Sequence, residues 1–206
     1  MTKWRVALLM ASLAFALLAA LVFGTHEVAF EHLWSDPLRN LRSPFNNQLV
    51  LWVTQLGNGW FLAALCLAVS AWLKDPWERL ALLQVYLLQL LGNMALKQFF
   101  SRTRPGDDFD PLVKAHFYSF PSGHSMATMA VFGFLAWLLA RHGYRRSALA
   151  LMFVPLLVGF TRVYLAVHYA TDVLGGFLAG IVVVALVQLT RPNEGGANGD
   201  RNRPLG

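Results

Sequence analysis

Residues 119–128 read Ser-Phe-Pro-Ser-Gly-His-Ser-Met-Ala-Thr, and they stand where a polar stretch turns into an apolar run. A proline at this point pre-sets a first helical turn, and the N-terminus of the helix carries partial positive charge. Ser122 supplies a hydroxyl and Gly123 an unobstructed backbone N–H, so the turn is a ready anion site. His124 adds a group able to give or take a proton near neutral pH.

The apolar run behind this turn, Ser125 to Ala140, is one of several. The chain has 206 residues, 56% of them hydrophobic and 14% charged, which is too apolar for an ordinary soluble domain of that length. Ala7–Phe23, Trp60–Leu73, Leu80–Leu96, Ser125–Ala140, Ser147–Thr161 and Val173–Leu189 predict an all-α integral membrane protein with six transmembrane helices. These form one domain over residues 1–192. The first run follows Lys3 and Arg5 and also fits a signal peptide, but the later spans need lipid in any case, so it is read as a helix. Trp60–Leu73 is short for a full crossing unless it recruits the preceding Gly-Asn-Gly turn or sits in a thin, well-packed bundle. Between the first two spans, Gly24–Gly59 mixes charge with apolar residues. Leu49, Trp52, Val53 and Leu56 within it follow a helical stripe, which predicts an interfacial amphipathic helix over Gln48–Leu56. Gln84, Gln89 and Asn93 should face other helices, and the seven tryptophans suit a membrane belt. The tail, Asn193–Gly206, is rich in Gly, Asn and Arg and is expected to be disordered and cytoplasmic.

The net charge of +6 is scattered between apolar runs with no basic stripe, so no nucleic acid partner is expected. Membrane topology accounts for it instead. An even number of spans puts both termini on one side, together with Lys74, Arg79, Arg141, Arg145, Arg146 and Arg191; that side should be cytoplasmic. The opposite loops hold Arg39, Arg42, Arg102 and Lys114, and with them Lys97, Arg104 and Arg162 near span ends. The Pro121–His124 turn therefore faces outward.

Three polar clusters fall on that outer side: Lys97 with Arg104 and Pro105, the Pro121–His124 turn, and Arg162 with His168 and Asp172. Each has an ordinary explanation alone: a snorkelling lysine, a common turn, a capping pair beside a topology marker. Their convergence gives them a joint meaning. His168 and Asp172 are four apart, so on a helical turn the carboxylate can hold one ring nitrogen and leave the other as nucleophile or base. A second histidine and three cations around an anion complete the inventory for phosphoryl transfer without a metal. Asp107, Asp108 and Asp110 read as a solvated acidic loop, since nothing near them completes a coordination shell.

The stretches KQFFSRTRP from Lys97, PSGH from Pro121 and TRVYLAVHYATD from Thr161 resemble the type-2 phosphatidic acid phosphatase superfamily in residues and spacing, with Thr161 in place of the usual serine. The same pattern occurs in soluble vanadium haloperoxidases, but six apolar spans point to the membrane branch. The resemblance implies that His168 attacks phosphorus to form a phosphohistidine, Asp172 orients it and His124 protonates the leaving oxygen. It implies that Lys97, Arg104, Ser122, Gly123 and Arg162 hold the phosphate oxygens, with no cofactor. The expected protein is a lipid phosphatase of a bacterial cytoplasmic membrane whose site faces the periplasm or outside. Its substrate would be phosphatidylglycerophosphate, phosphatidic acid or undecaprenyl pyrophosphate. Membrane lipids are its expected surroundings, and no obligatory protein partner is evident. A transporter or flippase that binds an anionic lipid and breaks no bond is the alternative.

Overall fold

The computed structural model describes residues 2–23 and 31–192, and among these the chain forms nine α-helices and no strand. They are α1 (Thr2–Val22), α2 (Glu31–Arg39), α3 (Pro44–Thr54), α4 (Gly59–Trp72), α5 (Pro76–Phe100), α6 (Gly123–Arg141), α7 (Arg145–Leu151), α8 (Phe153–Tyr164) and α9 (Ala170–Leu189). Local chemistry sets many of their ends. Ser43, Asn58 and Asp75 each accept a first-turn backbone N–H, and Pro44 and Pro76 occupy first helical positions where no N–H is needed. Pro155 cannot donate to the preceding turn, so α7 and α8 form one span, Arg145–Tyr164, interrupted at Met152.

Among the described residues, five spans are long and apolar enough to cross a membrane: α1, α5, α6, α7 with α8, and α9. The second span departs from the expected form. With 14 residues, α4 rises only about 21 Å, short of a hydrocarbon core of about 30 Å. It follows α3 through a 3₁₀ turn at Gln55–Gly57 with a bend of 50°, and the pair together passes as a sixth span. Gln48–Leu56 is thus part of a helix joined to α4. Its stripe was legible, but Leu49 and Trp52 face outward while Val50 and Thr54 are buried, and an outward apolar stripe looks alike on a surface helix and on a lipid-facing one. The short amphipathic helix that does lie between the first two spans is α2, which buries Glu31 and Ser35 and exposes Leu33 and Trp34. Much of the Gly24–Gly59 segment is therefore helical; residues 24–30 and the tail from Asn193 lie outside the described residues.

α6 occupies the centre, with every residue from Ser125 to Phe132 buried, and it packs on α9, α7, α5 and α8. Gly176 and Gly180, one turn apart, let α9 approach α6 closely. A methyl group at Gly176 would stand 2.6 Å from the Ser122 carbonyl oxygen, and one at Gly180 would stand 2.8 Å from that of Met126. This approach carries the start of α9 up to the Pro121–His124 turn. At the opposite end of the bundle Trp4, Trp77 and Trp137 pack edge to face, and Arg191 lies over both Trp77 and Trp137. Gln89 and Asn93 face inward, as their place in an apolar run requires.

Gly176→Ala should lower the thermal midpoint in detergent by an amount equivalent to about 1–3 kcal/mol, because backbone rather than a flexible side chain must yield. Gly106→Ala, with open space around the added carbon, should leave the midpoint unchanged.

Candidate active site

The residues singled out from the sequence gather at one end of the bundle, where α5 ends and α6 and α9 begin. Ser122 caps α6, and its N–H donates to the carbonyl of Asp172 at 2.9 Å, which ties the two helix starts together. Asn93 of α5 donates to the Pro121 carbonyl at 3.2 Å and holds the turn from below. The Ser122 hydroxyl is fully buried and accepts from Ser125 at 3.1 Å. The first-turn N–H groups of Gly123 and His124 have no acceptor within their own helix and point out of its N-terminus.

Asp172 has no solvent exposure, and its two oxygens face only donors. Oδ1 accepts from Arg102 at 2.7 Å; Oδ2 accepts from the Ser119 hydroxyl and from the Tyr169 N–H at 2.9 Å. His168 Nδ1 lies 3.3 Å from Oδ2, with Ser119 Oγ 3.4 Å away. On the far side of the ring, Arg104 approaches Nε2 at 3.1 Å. A guanidinium can only donate, so Nε2 must be the acceptor and the proton resides on Nδ1, pointing at Asp172. His168 is thus held as the neutral tautomer whose lone pair faces away from the carboxylate. Burial above all, then the charges of Arg104, Lys97 and Arg162, holds its pKa well below the ordinary imidazole value.

Of the cations whose charge disfavours protonation of His168, Arg104 is the one in contact with its ring. Lys97 is anchored on the carbonyls of Tyr118 and Ser119. Arg104 is engaged more completely: Nε donates to Phe117, one terminal nitrogen to Val167 and His168, and the other to His116 and Tyr118. Arg162 donates to Thr54 at 2.8 Å, and its buried Nε has no hydrogen-bond partner among the described residues. The His124 ring lies against Gly57, where an added methyl carbon would come within 2.8 Å of its Cδ2. Thr161 turns its hydroxyl back to the Val158 carbonyl at 2.6 Å.

The sequence reading had no role for several of these. By sequence alone Arg102 is one more outer-loop charge, though it sits two residues from Arg104 and is buried; Ser119 has no evident function, and Thr54 and Gly57 fall inside the mixed Gly24–Gly59 segment. The Arg-Thr-Arg alternation hinted at Arg102. For Glu31, which reaches α9 from α2, no local signal exists. Asp110 pairs with Arg42 at 3.1 Å, away from this cluster.

Displacement at phosphorus is the chemistry that a neutral, carboxylate-held imidazole among cations can carry out, and a helical body that presents it at one end of its spans makes the protein a multi-pass membrane phosphatase. The sequence matches the PAP2 superfamily over residues 78–195. It is 34% identical to phosphatidylglycerophosphatase B of Bacillus subtilis over 185 residues, covering 85% of this chain and 90% of that protein. The crystal structure of a transmembrane PAP2-type phosphatidylglycerolphosphate phosphatase from Bacillus subtilis superimposes with a TM-score of 0.80 at 33% identity, over 88% of this chain and 94% of that one. LpxE of Aquifex aeolicus shares the fold, with a TM-score of 0.69 at 24% identity over 80% of this chain and 98% of that one. The chain belongs to the PAP2 superfamily, and it is a lipid phosphate phosphatase.

Nitrogen-15 NMR of the phosphate-free enzyme should show His168 neutral at about pH 6.5, protonated on Nδ1 and bare on Nε2. Arg104→Leu removes the largest of the positive charges opposing protonation, so the His168 titration should move to higher pH.

Proposed function

We propose that this enzyme removes the terminal phosphate of a membrane lipid through a phosphohistidine on Nε2 of His168. The observation that carries the reading is the His168 tautomer: Nδ1–H on the buried Asp172, Nε2 turned toward the cationic wall. In the first step Nε2 bonds to phosphorus as the bond to the leaving oxygen breaks. Asp172 offsets the positive charge that appears on the ring, and Lys97, Arg104, Arg162 and the N–H groups at Gly123 hold the three peripheral oxygens. The entering phosphate brings negative charge beside His124, which takes up a proton and delivers it to the leaving oxygen. In the second step His124 accepts a proton from water, the water oxygen attacks phosphorus, and inorganic phosphate leaves with His168 regenerated. The chain's own cations provide the charge neutralisation that a metal ion would otherwise supply.

Phosphatidylglycerophosphate is the first substrate to test, given the relative that aligns along most of both chains; phosphatidic acid and undecaprenyl pyrophosphate offer the same terminal phosphate. The site lies at the end of the bundle away from Lys3, Arg79, Arg141 and Arg191, and the excess of lysine and arginine at that far end supports cytoplasmic termini and an outward-facing site in a bacterial cytoplasmic membrane.

The purified enzyme in detergent with EDTA should release inorganic phosphate from phosphatidylglycerophosphate. His168→Ala should reduce turnover by about a thousandfold or more while lipid binding persists. Brief reaction with substrate labelled in its terminal phosphate should leave acid-labile, base-stable label on the protein. Tight binding without phosphate release would favour a lipid carrier instead.

A further inference from the structure

Behind the His168–Asp172 pair lies a second buried assembly, built from Glu31 and from residues that stand between the named positions of the motifs. Arg102 is 4% exposed and meets the start of α9 at three residues, Tyr169, Thr171 and Asp172. One terminal nitrogen donates to the Thr171 hydroxyl and to Asp172 Oδ1, both at 2.7 Å, while the guanidinium lies 4.3 Å from the centre of the Tyr169 ring. Glu31 of α2 closes the arrangement from outside. It is 1% exposed; one oxygen accepts from the Thr171 hydroxyl and the other from the Ala170 N–H at 2.9 Å, and Arg102 stands 3.6 Å away.

The chemistry of this set is restrictive. The N–H of Ala170, the first residue of α9, has no acceptor within its own helix, and Glu31 accepts it from another helix. One guanidinium faces two buried carboxylates, and Arg102 is the only cation hydrogen-bonded to Asp172 among the described residues. Burial above all, together with the charge of Asp172, pushes the Glu31 carboxyl above its ordinary range, opposed by Thr171, Arg102 and the Ala170 N–H. The Thr171 hydroxyl has one proton, which goes to Glu31, so it must accept from Arg102. That fixes the direction of every bond from Glu31 through Thr171 and Arg102 to Asp172, and so to His168 Nδ1.

We propose that Arg102 and Glu31 are positioning residues for the phosphoryl transfer: they fix the side chain of Asp172, and with it the His168 tautomer, and they make the seating of α2 on α9 a condition of turnover. Neither side chain reaches the Nε2 side of the ring. The inference rests on His168 being the nucleophile, and it predicts effects on the chemical step rather than on substrate capture.

The test is steady-state kinetics of the full chain in detergent on phosphatidylglycerophosphate, comparing Arg102→Met, Arg102→Lys, Glu31→Gln and Leu33→Ala. Leu33 is on the same helix as Glu31 but is 72% exposed. Arg102→Met and Glu31→Gln should each lower kcat by about tenfold or more, with KM changed by less than about twofold, because partners that orient a reacting group act on its readiness. Arg102→Lys should recover part of the loss, and Leu33→Ala should behave as wild type. Because Arg102→Met could fail to fold, Glu31→Gln, nearly isosteric, keeps the idea open to refutation, and rates are referred to folded protein measured by thermal unfolding. Unchanged kcat per folded enzyme in Glu31→Gln, or a rise in KM at constant kcat, would overturn the proposal. Absence of turnover by the wild-type enzyme would instead remove the functional reading on which it rests.

Discussion

A carboxylate with no exposure to water, Asp172, is the constraint that the outer end of this protein is built to satisfy. Its oxygens take hydrogen bonds from a guanidinium, a hydroxyl, a backbone N–H and an imidazole, and none of these partners can accept a proton back from it in that arrangement. Burying an ionised carboxylate without such partners is prohibitively costly. The start of α9, the loop through Ser119, the end of α5 and helix α2 are therefore all committed to positions that serve one side chain. The Ser122 N–H on the Asp172 carbonyl adds the start of α6 to the same knot, and the glycines at 176 and 180 make the approach sterically feasible.

Much of this end was readable in the chain because catalysis fixes residue types at fixed spacings. Lys97 and Arg104 bracket a helix end, Pro121–His124 opens a helix, and His168 and Asp172 are one turn apart; such patterns survive translation into one dimension. The supporting residues do not, for a physical reason. Glu31 and Thr171 are 140 positions apart in sequence, and their contact depends on how α2 lies on α9, which hydropathy does not encode. Likewise the stripe at Leu49, Trp52, Val53 and Leu56 gave a helix correctly, but whether that helix lies along a membrane or enters it depends on the bend at Gln55–Gly57. Gly57 carries no signal in sequence beyond ending the stripe. Its missing side chain is the space in which the His124 ring sits.

The cations of the site show how a protein keeps several positive charges together before any anion arrives. Lys97 and Arg104 both rest on carbonyls of the loop at residues 116–119, and Arg162 rests on a threonine hydroxyl of α3. Neutral oxygen dipoles are enough to orient these groups but weaker than phosphate oxygens as acceptors. The loop therefore organises the cage without filling it.

Arg104 gives this arrangement a further meaning. With all of its donors engaged, and one of them aimed at Nε2 of His168, Arg104 masks at rest the atom proposed as nucleophile, though it is also the group proposed to welcome the substrate. Only an acceptor richer in negative charge than an imidazole lone pair can draw that N–H away. Once inorganic phosphate has left and Nε2 is bare again, no such acceptor remains and the mask can close. In the proposed cycle, protection of the idle enzyme is then a single hydrogen bond returning to its place.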